Sequence, residues 1–127
     1  YRKKLYLIDS QDAVIGNIAY DLASLIDDVR LKTTYKLKKE IYDYYIKKSS
    51  NKFNSDHFKN DFDILSVLRN LKIIGIFTRL AVRDGKKRYL KLIPRAWELI
   101  NIRIDNQIFL ELKKLLNQNF KKELNAN

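Results

Sequence analysis

From Ile18 to Phe120, apolar residues return every three or four positions in five separate runs. That spacing commits most of the chain to amphipathic helices. The first run is Ile18, Leu22, Leu25, Ile26 and Val29, with Asn17 placed to cap it. The second covers about 34–48, with Leu37, Ile41 and either Tyr44 or Tyr45 facing inward, and Ser49-Ser50-Asn51 punctuates it. A third, longer helix starts near Asn54 or Ser55, carries the stripe Phe58, Phe62, Leu65, Leu68 and Leu71, and continues through Gly75 toward Leu80. Glycine inside a helix costs about 1 kcal/mol relative to alanine. Gly75 therefore predicts a neighbouring helix that approaches closely. Asp84-Gly85 is a turn signal, and Pro94 suits the first turn of the next helix, where its missing N–H is not needed. That helix carries Trp97, Leu99 and Ile100 and ends before Asp105, which is placed to cap a last helix with Phe109, Leu112, Leu115 or Leu116, and Phe120 inside. Residues 121–127 read as a frayed tail.

Residues 4–9 read differently. Leu5, Leu7 and Ile8 suit a strand, one half of a hairpin, and a lone hairpin is marginal in water. The strand needs a partner from other sequence or another molecule. The pattern predicts one mainly α domain over 1–127 with a short N-terminal β-strand or hairpin. With 127 residues, 46% of them hydrophobic, the chain suffices for one core. No solenoid repeat, heptad seam or low-complexity linker is present. The absence of Cys excludes disulfides, thiolate nucleophiles and Cys-ligated metals and is compatible with the cytoplasm, where the chain is placed. No apolar run approaches the roughly 20 residues of a membrane helix, so no membrane partner is expected. His57 is the single histidine, without the companions a zinc site needs.

The chemistry is concentrated at Leu7-Ile8-Asp9-Ser10-Gln11-Asp12-Ala13, which delivers an aspartate from a strand into a turn. Gly16 follows, then a helix with Tyr20-Asp21-Leu22-Ala23-Ser24-Leu25-Ile26. Magnesium is usually held by one or two carboxylates together with phosphates and waters, and a strand-end aspartate fixes such a ligand rigidly. Taken alone, the short motif reads Asp9 as an ordinary strand-ending residue. The stretches LIDSQDAVIG, YDLASLIDDVR, LRNLKIIGIFTRLAVRDGKKRYL and IPRAWELI, in order to Ile100, resemble the aminoglycoside phosphotransferase-like kinases. In detail they are similar to the bacterial sugar kinases that phosphorylate N-acetylmuramate and N-acetylglucosamine.

The resemblance implies the helical C-terminal lobe of a protein-kinase-like fold, with the catalytic loop and nucleotide lobe lying N-terminal to such a segment. No Met occurs, and Tyr1 is not a native start, which fits a partial chain. By the same resemblance Asp9 is the ligand of the magnesium that bridges the ATP phosphates, and Asp21 supports the catalytic loop. Gln11 and Asp12 line the turn, and Arg69, Asn70 and Arg79 border the acceptor sugar. The catalytic base is expected on the preceding loop, outside this chain. Alone, the chain is therefore expected to bind neither ATP nor Mg2+ and to be inactive. Two departures stand out: Ser10 where the family carries Phe, and Asn70 where relatives have His.

The formal net charge is +11. Between Lys72 and Arg95 eight bases face one acid, Asp84, and Arg79, Arg83 and Arg95 could bind an anionic group. Two alternatives stand beside the kinase reading: a basic helical module that binds nucleic acid or an acidic partner, and a non-functional remnant of a kinase gene.

Overall fold

The computed structural model describes residues 15–49 and 54–120. They form α1 (Ala19–Ile26), α2 (Tyr35–Ser49), α3 (Ser55–Val82), α4 (Ile93–Asn101) and α5 (Leu110–Asn119), with 3₁₀ segments at Lys87–Leu92 and Gln107–Phe109. The architecture is mainly helical, as the periodicity predicts, and no strand occurs among the described residues. The expected strand at 4–9 and the tail at 121–127 lie outside them.

α3 is the spine. Its 28 residues run about 42 Å at 1.5 Å per residue. Asn54 starts it by accepting the backbone N–H groups of Asp56 and His57, both at 3.0 Å. Thr34 starts α2 in the same way, its hydroxyl accepting from the Leu37 N–H at 3.2 Å. The Asn17 carboxamide oxygen accepts from the Ala19 N–H at 2.9 Å at the head of α1. Gly85 closes α3 at φ 67°, a left-handed conformation that favours glycine, and Pro94 lies in the first turn of α4.

One end of α3 packs on α1 and α2. There Ala19, Leu22, Ala23, Ile26, Phe58 and Phe62 are buried, with Ile41 and Tyr45 against them. Its middle packs on α4, the following turn and α5 through Val67, Trp97, Ile100, Ile104, Phe109 and Leu116. Val29, Ala96 and Leu99 form a third group, with Ile73, Ile74 and Phe77 alongside.

Several expected faces are rotated. In α1 the inward stripe is Ala19, Leu22, Ala23 and Ile26, while Ile18 and Leu25 are exposed. Alanine can sit inward there because α3 lies close. In α2 Leu37 is exposed and Lys38 is buried. In α3 Val67 is buried and Leu68 exposed. In the last helix Leu116 is the inward one of the two expected leucines, and Phe120 is exposed although its ring lies 5.4 Å from that of Trp97. Gly75 is exposed, and a methyl group built on it would meet nothing within 4 Å, so no neighbour requires the glycine. Asp105 is not a cap. Asn106 takes that place by accepting the Ile108 N–H at 3.2 Å, and Asp105 pairs with Lys113.

Candidate functional site

α1 ends on two acids, Asp27 and Asp28, at the terminus where the helix dipole disfavours negative charge. Buried cations remove that disadvantage. Lys38 comes from α2, is 4% exposed, and donates from Nζ both to the Ile26 carbonyl and, at 2.9 Å, to Asp27 Oδ1. Arg103 comes from the turn after α4 and donates from Nε to Asp27 Oδ2 at 2.7 Å and to Ser66 Oγ at 3.2 Å. Ser66 donates its hydroxyl to the same Asp27 oxygen at 2.6 Å. Arg103 Nη1 reaches Asp63 Oδ1 at 3.3 Å, and its guanidinium lies over the Phe62 ring at 4.4 Å. Lys59 and Asn106 donate to the second Asp63 oxygen at 2.7 and 3.1 Å. Three helices and a distant turn thus meet on two buried carboxylates.

Burial alone would raise the Asp27 carboxyl, but Arg103, Ser66 and Lys38 outweigh it and hold the group below the usual carboxylate range. Asp28 is also held low, chiefly by the Arg30 guanidinium that grips it at 2.6 Å. The Tyr42 hydroxyl is pushed up, first by burial and then by the charge of Asp63. Three donors on one carboxylate favour its ionised form.

The network forms one wall of a cleft of about 420 Å³ between α2, α3 and the turn after α4, with Lys38, Tyr42, Lys59, Asp63, Arg103 and Asn106 in its lining. That volume is in the range of small-molecule sites. Charges of both signs beside Tyr42 and Phe62 suit a polar ligand with an apolar face.

The residues singled out from the sequence lie elsewhere. Asp9, Gln11 and Asp12, and with them the magnesium expectation, fall outside the described residues. Asp21 is exposed in the first turn of α1. Arg69 is half-buried on α3, its Nη1 donating to the Asp27 carbonyl at 3.4 Å. Asn70 is fully buried, its Nδ2 donates to the Ser66 carbonyl at 2.9 Å, and its Oδ1 has no partner. Arg79 is exposed ten residues further along α3, about 15 Å down the axis from Arg69. The structure brings Arg69 and Asn70 to the back of the Asp27 network but leaves Arg79 apart. Sequence reasoning missed Asp27, Lys38, Asp63 and Arg103. The one local signal was the pair of acids closing an apolar helix, which requires a cation from elsewhere.

No family model matches the chain. Curated proteins do. The N-acetylmuramate/N-acetylglucosamine kinase of Caulobacter vibrioides is 33% identical over 107 residues, 84% of this chain and 29% of that protein. The kinase of the same name from Pseudomonas putida is 34% identical over 100 residues, 75% of this chain and 30% of that protein. That of Neisseria meningitidis serogroup B is 36% identical over 96 residues, 70% of this chain and 28% of that protein. This chain is a homologue of the N-acetylmuramate/N-acetylglucosamine kinases. It spans about three-tenths of the length of the curated relatives it matches. The sugar-kinase likeness reaches across most of the helical domain, so the buried charge network belongs to a segment that has a counterpart in those kinases.

Proposed function

We propose that the chain supplies the C-terminal helical part of an ATP-dependent phosphotransferase acting on an amino sugar of the N-acetylmuramate or N-acetylglucosamine type. The observation that carries this reading is the match to kinases of that name over 84% of the chain. The surface of α1 supports it. Ile18, Asp21 and Leu25, at i, i+3 and i+7, form an exposed apolar stripe around one carboxylate, a face suited to further polypeptide and to a hydrogen bond from it.

In this reading Asp9 holds a magnesium ion whose charge offsets that of the nucleotide phosphates, and Asp21 steadies the catalytic loop. Phosphoryl transfer depends on metal, base and phosphate-binding groups acting together. The base and the phosphate-covering loop are not among these 127 residues, so the chain alone is inactive.

The test has two arms. The purified chain, given Mg-ATP and N-acetylglucosamine or N-acetylmuramate, should yield no sugar phosphate by ³¹P NMR; turnover refutes the inactivity. Substituted for the matching segment of the Caulobacter vibrioides kinase, the chain should support turnover, and Asp9→Asn in that chimera should abolish it with unchanged circular dichroism. Retained activity in the Asp9→Asn chimera removes Asp9 from the chemistry.

A further inference from the structure

The end of α3 and the turn after it form a cationic tip, of which the kinase reading uses Arg79 alone. Over residues 79–91 six bases, Arg79, Arg83, Lys86, Lys87, Arg88 and Lys91, face one acid, Asp84, and all six are exposed. Asp84 is taken by Arg83 at 2.6 Å. The other five bases form no ion pair among the described residues. Two cations in the last turn of a helix are accounted for by its dipole. Lys86, Lys87, Arg88 and Lys91 lie beyond the helix end and have no such reason to cluster.

The tip is not only charged. Val82 is 82% exposed and Leu90 is 42% exposed, each flanked by these bases. The chain reverses tightly there, with the Lys86 N–H on the Leu80 carbonyl at 3.0 Å. The turn is anchored from behind by Tyr89, whose ring lies 5.1 Å from that of Phe77. The ring is occupied both by Phe77 and by the Arg88 guanidinium, which lies over it at 5.2 Å, so it is not free to stack on a base, and the apolar groups left outward are aliphatic. Single-stranded nucleic acid is held by a basic groove with aromatic platforms. An anionic lipid surface is held by a cluster of four to eight bases around apolar groups that dip among the headgroups.

We propose that this tip docks the protein on an anionic lipid surface, the bases contacting headgroups and Val82 and Leu90 entering the interface. The bilayer is touched, not crossed: among the described residues no helix is long and apolar enough to span a membrane. The proposal stands independently of the kinase reading.

The experiment is co-sedimentation of the 127-residue chain with vesicles of phosphatidylglycerol and phosphatidylcholine at 1:3, against phosphatidylcholine alone. Binding is expected to the anionic vesicles only and to disappear at high salt. A base near such a surface is worth about a fivefold factor in partitioning, so Lys86→Ala with Lys87→Ala should weaken binding roughly 25-fold. Val82→Ser, at an open position that cannot unfold the domain, should weaken it roughly tenfold while leaving any association with a uridine oligonucleotide unchanged. Failure to sediment with anionic vesicles at low salt overturns the proposal. So does tight oligonucleotide binding with vesicle binding indifferent to Val82→Ser, which assigns the tip to nucleic acid.

Discussion

Arg103→Met tests the charge network directly. Methionine keeps the length of the side chain and its apolar cover over Phe62 but removes the cation. Asp27, fully buried, is left with Lys38 and Ser66, and Asp63 with Lys59 and Asn106. Removing one partner of a buried ion pair costs about 3–5 kcal/mol. The cations that remain place the cost at the lower end, about 3 kcal/mol, against a total of about 5–15 kcal/mol for a domain. With an m-value of about 2 kcal/mol per molar urea, the midpoint of urea unfolding at pH 7 falls by about 1.5 M. The sign of its pH dependence is fixed. The Asp27 carboxyl is held low in the native protein, so it contributes stability that is present above about pH 4 and is lost as pH falls through the folded value. Without Arg103, burial raises that carboxyl and the folded variant binds a proton more readily. The deficit relative to the parent therefore shrinks as pH is lowered from 7 toward 4. A midpoint shift below about 0.5 M, the worth of an exposed pair, or a deficit that grows toward acid, refutes the description of a buried, ionised Asp27.

Two helix predictions follow from the same geometry. Gly75→Ala should raise stability by up to about 1 kcal/mol, read as a rise in the urea midpoint, because the added methyl group meets nothing within 4 Å; a loss of stability would show a close neighbour after all. Asn54→Ala should cost about 1 kcal/mol through loss of the two N–H groups its side chain accepts, measurable as a lower Tm, whereas Asn54→Asp should be nearly neutral.

Local signals were legible wherever one residue acts on its own neighbours. Asn54 marks the start of α3, Gly85 its end and Pro94 the opening of α4, because caps and turns are decided within four residues. The length of α3 was legible too, since one glycine does not break a helix whose flanks pack. Face assignments were less so. α2 is rich in charge on every side, and a shift of one position turns its inner edge by about 100°, which exchanges Leu37 for Lys38. The candidate cleft was hidden, because Asp27 and Arg103 stand 76 positions apart and nothing in a local window joins them. The reading of Asp9, Gln11 and Asp12 rests on motif likeness, and that segment lies outside the described residues.

The span from Asp27 to Arg103 also has a consequence for how the protein is made. A nascent chain that has emerged only through α3 already holds the carboxylate, its lysine and its serine, but lacks the guanidinium that completes the set. Contacts so distant along the sequence slow folding, because the loop between them must be closed first. A chain that stops short of Arg103 can still pack α1 and α2 on α3 through their apolar faces, but it keeps Asp27 and Asp63 without the guanidinium they share.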